Sequence, residues 1–301
     1  MIQKYLTLSF LSTLIILLAV SCTSSVPKES MLKLKSNPYP GNQKPQILAV
    51  YHPYPDFNTT VESSIRPLPG YNNWSDNRME RDLQRMRSVG LNGVLLAIKP
   101  EDLADNIRFE RIRHFYELAA VQQPVFHVAL LLGGNNELTT DNVSQFVFRK
   151  GLADISSAFK LNGKVVVVFE QKVRLVQKDK TENETFCYRQ IGKNWPAVPA
   201  GNLICRPALP DHFAWVRIGD NHVVSDNNGV PAFNVQDAWA LPRGKGLNFA
   251  NRLRNAFHDQ AAIICIQSWN DFSDGSFMEP NTLDRNIMMT VLQKELEILE
   301  K

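Results

Sequence analysis

Short runs of Val, Ile, Leu and Ala that do not alternate with polar residues recur along most of this chain, and they constrain its fold more than any other feature. A strand with one wet face alternates apolar and polar residues, whereas one that is apolar at successive positions is buried on both faces, as in a parallel sheet covered by helices. Eight such runs are read from the sequence, at 47–54, 93–98, 125–132, 164–170, 202–206, 213–218, 231–236 and 261–269. Between them the apolar spacing turns helical at 77–89, where Met79, Leu83 and Met86 share a face, and again at 108–121, 142–161, 247–257 and 283–299. Helix starts are expected at Asp76 and Asp141, each just before an amphipathic pattern. Strand, helix, strand in that rhythm predicts a parallel α/β protein, and eight strands predict closure into a (β/α)8 barrel of the TIM type. An open doubly wound sheet is the alternative. Its dinucleotide-binding form is disfavoured, because His52-Pro53-Tyr54-Pro55 rather than a glycine fingerprint follows the first run. The stretch 171–213, with Pro196, Pro199, Pro207 and Pro210, departs from the rhythm.

The start of the chain has its own character. Lys4 precedes an apolar run over 6–20 that is interrupted by Thr7, Ser9, Ser12 and Thr13 and ends at Ser21-Cys22, the layout of a secretory signal rather than a membrane span. Leu18-Ala19-Val20-Ser21-Cys22 resembles a bacterial lipobox, in which Cys22 becomes the acylated first residue and tethers the protein to a membrane surface. A plain cleaved signal with an incidental cysteine is the other reading. The following residues are rich in Ser, Pro, Lys and Asn and read as a solvated linker. No aspartate follows Cys22 directly, which by resemblance to lipoprotein sorting rules favours the outer membrane. The expected organisation is therefore a signal peptide over 1–21, a flexible linker over 22–45 and a single barrel domain over 46–301, a length suited to one barrel.

The net charge is +3, and no basic run is interleaved with aromatics, so a nucleic-acid partner is not expected. The chain is read as a monomer that meets the membrane only through its anchor. Of the four cysteines, Cys265 lies inside an apolar run and is expected to be a small buried side chain. Cys187 and Cys205 fall in a loop-rich stretch where, in an oxidising compartment, a disulfide is possible.

In a barrel of this type the C-terminal ends of the strands and the loops after them build the active face. Polar side chains gather at the ends of the predicted runs: Tyr51, His52 and Tyr54, then Lys99 with Glu101 and Asp102, then His127 and Glu170. Arg206 and Arg217 follow, with Gln236, Asp237 and Trp239 after the seventh run and Trp269, Asn270, Asp271 and Asp274 after the last. The six histidines show no H-x-H or H-E-x-x-H spacing, so neither a metal nor another cofactor is expected, and no G-x-S-x-G elbow is present. Carboxylates facing aromatics suit sugars, whose C–H faces pack on rings while their hydroxyls meet acids and amides.

The most specific stretch is Ile266-Gln267-Ser268-Trp269-Asn270-Asp271-Phe272-Ser273-Asp274-Gly275-Ser276-Phe277-Met278-Glu279-Pro280. It resembles the last-strand motif of glycoside hydrolase family 99 and its wider relatives: Ser, aromatic, Asn, acid, two residues, acid, Gly, and a short run to Glu-Pro. Val50-Tyr51-His52-Pro53-Tyr54, Gly90-Leu91-Asn92-Gly93-Val94 and Phe126-His127 agree in order with other parts of that family's domain. The resemblance implies a (β/α)8 barrel that cleaves internal α-mannosidic linkages with retention. One acid assists the substrate's own 2-hydroxyl as nucleophile and the other serves as general acid and base. Those roles fall on Asp271 and Asp274 respectively, and the chain departs from the mannan-cleaving members by having Asp where they have Glu. A carboxyl displaced by about 1 Å can lose on the order of a hundredfold in rate.

Competing readings stand beside these. Asp271 and Asp274 also suit turn chemistry. Glu170, after the apolar 165–169, is a rival proton donor at the fourth strand end, or else a partner for Lys172 or Arg174. His127 is a sugar ligand or a core histidine, and Trp239 is the best candidate among the tryptophans for a sugar platform. The function expected is a lipid-anchored glycoside hydrolase of the cell envelope, endo-acting on an α-linked glycan such as mannan. The alternatives are a catalytically weak or inactive barrel that binds glycan at the surface, and an enzyme for another envelope glycan.

Overall fold

The computed structural model describes residues 34, 36–40, 43–54, 65–71, 73–133, 137–139, 143–161, 163–170, 174–176, 186–191, 213–218, 223–225, 231–233, 244–272 and 276–301. Among the described residues seven parallel strands make the sheet: β1 (Gln46–Tyr51), β2 (Gly93–Ile98), β3 (His127–Leu132), β4 (Lys164–Glu170), β5 (Phe186–Ile191), β6 (Phe213–Arg217) and β7 (Ile263–Gln267). Their order is β5-β4-β3-β2-β1-β7-β6, with Lys160–Leu161 added antiparallel beside β4. The last strand pairs with the first, Leu48 opposite Cys265 on one side and Gly93 on the other, which is the closure expected of a barrel. Among the described residues the ring is open between β5 and β6. The architecture is the TIM-type α/β fold that the apolar runs predicted.

Successive side chains on each strand separate into two cores, as a period of two requires. Ile47, Ala49 and Tyr51, with Val94, Leu96 and Ile98, pack outward against the helices. Leu48, Val50, Leu95, Ala129, Leu131, Val168 and Cys265 pack inward. The outer layer is built by α1 (Asp76–Ser88), the short α2 (Pro100–Ala104), α3 (Asn106–Ala120), α4 (Leu247–His258) and α5 (Ile287–Leu296). Met79, Leu83 and Met86 of α1 are fully buried, as their spacing predicted. α1 starts at Asp76, where a helix start is expected, with Ser75 as its N-cap. Asp105 caps α3, accepting from the Arg108 N–H at 3.0 Å.

Three expectations are corrected. The helix expected over 142–161 is reduced to Gln145–Arg149 and a single turn at Leu152–Asp154, because Gly151 between them takes a positive φ of 78° that ends a right-handed helix. Among the described residues the seventh run is a strand only over Pro231–Phe233, which pairs antiparallel with Val223–Ser225 and not with the barrel sheet. The stretch read as a solvated linker is seated at its C-terminal end. Tyr39 is buried and donates its hydroxyl to the Ala261 carbonyl at 2.9 Å, and Asn37 Nδ2 donates to the Leu299 carbonyl at 3.0 Å. The run at 202–206, together with Arg206, Cys22, Cys205 and Asp141, lies outside the described residues.

Candidate functional site

The inward parity of β1, β2 and β3 continues past their C-terminal ends and lines a cavity of about 430 Å³ with His52, Lys99 and Gly133 above Ala97 and Leu131. Tyr54, Asp102 and Arg108 complete its wall. Tyr54 is 45% exposed, with its ring edge-on to Trp74 at 5.7 Å and the Arg108 guanidinium 5.4 Å from its centroid. Asp102 is buried, accepts from the Lys99 backbone N–H at 2.9 Å, and pairs with Arg108.

The last-strand motif meets this cavity through His52. After β7 the chain passes through a cis peptide between Gln267 and Ser268, and the Trp269 N–H then donates to the Val50 carbonyl at 2.7 Å. Asn270–Asp271 pairs antiparallel with Ser276–Phe277. The Asn270 side chain holds both polar groups of the His52 main chain, accepting its N–H and donating to its carbonyl at 2.8 Å each. His52 Nε2 stands 3.5 Å from Asp271 Oδ2, and the Asp271 N–H donates to Ser268 Oγ at 2.6 Å. A histidine on the cavity wall therefore bears directly on the first acid of the motif.

Behind this pair lies a buried polar network. Arg78 and Asp82, one turn apart on α1, form an ion pair at 3.3 Å within the apolar stripe of that helix. Arg78 donates to the carbonyls of His52 and Pro53 at 3.2 and 2.9 Å and lies 3.7 Å over the Tyr71 ring. Asp82 accepts from the Tyr51 hydroxyl at 2.9 Å, and that hydroxyl accepts from Trp74 Nε1 at 3.0 Å. Tyr71 donates its hydroxyl to Glu279 Oε2 at 2.7 Å and stands 3.4 Å from Asn270 Nδ2. Glu279 is fully buried, with Arg81 at 3.9 Å, and its Oε1 makes no hydrogen bond among the described residues. Burial first, and then the nearby Asp82 charge, push its carboxyl up to about 8, partly offset by Tyr71, Arg78 and Arg81.

Of the residues singled out from sequence, His52, Tyr54 and Lys99 line the cavity and Asp271 adjoins it through His52, while Asn270, expected as a sugar ligand, is fully buried and instead holds the His52 main chain. Three others are corrected from sugar ligands to structural positions. Tyr51 has outward parity, is fully buried, and stacks on Phe115 at 5.3 Å. Trp269 is 0% exposed, inside the core. His127 begins β3 rather than ending it, so it lies at the opposite end of the barrel, against Phe159, where burial lowers its pKa. Cys265 is buried, as expected. Asp274, Trp239, Gln236 and Asp237 lie outside the described residues, as do the side chains of Glu170 and Cys187. Sequence reasoning passed over Arg78, Asp82, Tyr71 and Arg108. Two charges at i and i+4 inside an apolar helical stripe were the available sign of the first pair.

The fold and these strand-end residues define a class, a TIM-type barrel with a polar cavity at the C-terminal ends of its strands. Among solved structures the chain is similar to the GH99 endo-alpha-mannosidase from Bacteroides thetaiotaomicron, with a TM-score of 0.59 at 10% identity over 85% of this chain and 97% of that one. A structure of that GH99 endo-alpha-mannosidase in complex with Bis-Tris-propane matches with a TM-score of 0.58 at 11% identity, over 85% of this chain and 96% of that one. A glycoside hydrolase-like protein matches with a TM-score of 0.52 at 10% identity, over 90% and 96% of the two chains. No family model matches the chain, and no curated protein does. The likeness is one of fold.

Proposed function

We propose that this protein is a retaining glycoside hydrolase, endo-acting on an α-linked glycan such as mannan. The observation that carries this reading is Asp271, held at the end of the last strand beside His52 on the wall of the strand-end cavity, in a fold shared with the GH99 endo-alpha-mannosidase. In the proposed reaction Asp271 takes the proton of the substrate's 2-hydroxyl as that oxygen attacks the anomeric carbon. Asp274 protonates the departing glycosidic oxygen. Water, deprotonated by Asp274, then opens the internal ring, and Asp271 returns its proton to the 2-hydroxyl, so configuration is retained through two inversions. His52, fixed at its main chain by Asn270, holds the Asp271 carboxylate in place.

The purified chain, incubated with a panel of α-mannans and α-glucans, is expected to generate new reducing ends, and Asp271→Asn or Asp274→Asn to abolish them. Release that persists in both variants refutes the assignment of the acids. Binding with no release from any glycan favours an inactive glycan-binding barrel, the reading suggested by the shortened acids. The proposal also places the protein at the envelope through an acylated Cys22. Labelled fatty acid should enter the wild type and not Cys22→Ala.

A further inference from the structure

Among the described residues, the cavity at the ends of β1, β2 and β3 is lined by more hydrogen-bond donors than free acceptors. A neutral sugar hydroxyl both gives and takes a hydrogen bond, so sites for neutral sugars need both kinds of group. Here Asp102 is the carboxylate on the wall, and both its oxygens are occupied, one by the Lys99 backbone N–H and the other by Arg108. The neighbouring main-chain carbonyls are also engaged. Ile98 accepts from the Gly133 N–H, Lys99 from the Asp102 N–H, and His52 from Asn270 and Arg78. Among the described lining residues this leaves the exposed Lys99 ammonium and the Arg108 guanidinium, which only donate, and the His52 imidazole and Tyr54 hydroxyl, which donate or accept. Asp102 offsets the charge of Arg108, and no hydrogen bond or ion pair engages Lys99 Nζ among the described residues. Two donor cations with one internal counter-ion match a group that only accepts, and charge-assisted bonds to such a group are the strong ones.

We propose that this cavity is a subsite for an acidic substituent of the glycan, a carboxylate, sulfate or phosphate on a sugar, with Lys99 as its principal ligand and Arg108 beside it. The inference rests on the glycoside hydrolase reading for the identity of the ligand as a sugar, but not for the charge it carries. Tyr54 supplies the ring face for the sugar that bears the acid.

The test is calorimetric titration of the full-length chain with neutral α-mannotriose, the same trisaccharide carrying a 6-phosphate, and one ending in a uronic acid, each at low salt and in 0.5 M NaCl. The acidic ligands are expected to bind at least about tenfold more tightly than the neutral one at low salt, and to lose most of that advantage at high salt. Lys99→Met should abolish the preference and Lys99→Arg should keep it, which separates loss of charge from misfolding. The ranking of the two acids tells phosphate from carboxylate. Equal affinities for neutral and acidic ligands, or a preference unchanged in Lys99→Met, overturns the subsite. Its failure is distinguishable from failure of the hydrolase reading. Hydrolysis of neutral mannan without acidic preference overturns only the subsite, and acidic binding without hydrolysis overturns only the enzyme.

Discussion

Replacing Glu279 by Gln should make the protein more stable, and increasingly so as the pH rises from 5 to 8. The carboxyl is fully buried, accepts one hydrogen bond from Tyr71, and is faced by Arg78, Arg81 and Asp82 of α1. Burial dominates, so the folded protein keeps its proton up to about pH 8, whereas the unfolded chain releases it near 4.5. The sign follows from the protons bound. Between those values the unfolded state is the one that has lost its proton, so stability attributable to this group is complete below about 4.5 and is lost as pH rises through about 8. Over that interval of about 3.5 pH units, at about 1.36 kcal/mol per unit, the loss has a ceiling of about 5 kcal/mol. Gln is neutral throughout and still accepts from Tyr71. Urea unfolding of both proteins at pH 5, 6.5 and 8 reads the effect as a gap that opens toward pH 8 in favour of Glu279→Gln. A gap that stays constant across the series would refute the placement of a protonated carboxyl in this network.

Three further outcomes follow from the packing. Asn270→Ala removes the partners of both polar groups of the His52 main chain and should cost about 2–3 kcal/mol in urea unfolding. Asn270→Asp, which accepts from the N–H but sets a buried carboxylate oxygen against the His52 carbonyl, should cost at least as much. Gly93→Ala would set a Cβ 2.3 Å from the His127 carbonyl oxygen, backbone against backbone, so thermal unfolding should shift down by roughly 6–10 °C. Trp269→Ala should cost about 3–5 kcal/mol as a core truncation, with Trp269→Phe much milder and with glycan affinity unchanged in the folded Phe variant.

The barrel was legible because its strands are buried on both faces, and that is a property of consecutive residues. β2 and β4 begin and end where their apolar runs do, at Gly93–Ile98 and Lys164–Glu170. Two site assignments failed for reasons already contained in such runs. His127 stands near the start of its run and begins the strand, and Tyr51 shares parity with Ile47 and Ala49, so one lies at the end opposite the active face and the other points into the helix layer. The polar network was illegible for a different reason. Tyr71 and Glu279 are 208 positions apart, and only the pairing of the last strand with the first brings them together. A lone buried acid in a Glu-Pro pair has no local signature that separates it from a loop support.

The network also bears on the shortened acids. Arg78 and Asn270 fix the main chain of His52 from two sides, and His52 in turn faces Asp271, whose own N–H is tied to Ser268. Such a mount fixes the backbone from which the shorter Asp271 side chain must reach. In the proposed reaction, for Asp271 to meet a 2-hydroxyl the sugar must come about 1 Å closer to the strand end than a glutamate would require, and a misplacement of that size decides rates. Drawing a substrate deeper takes binding energy from contacts away from the reacting centre. Lys99 and Arg108, lining the same cavity as His52, stand where an acidic substituent could supply it.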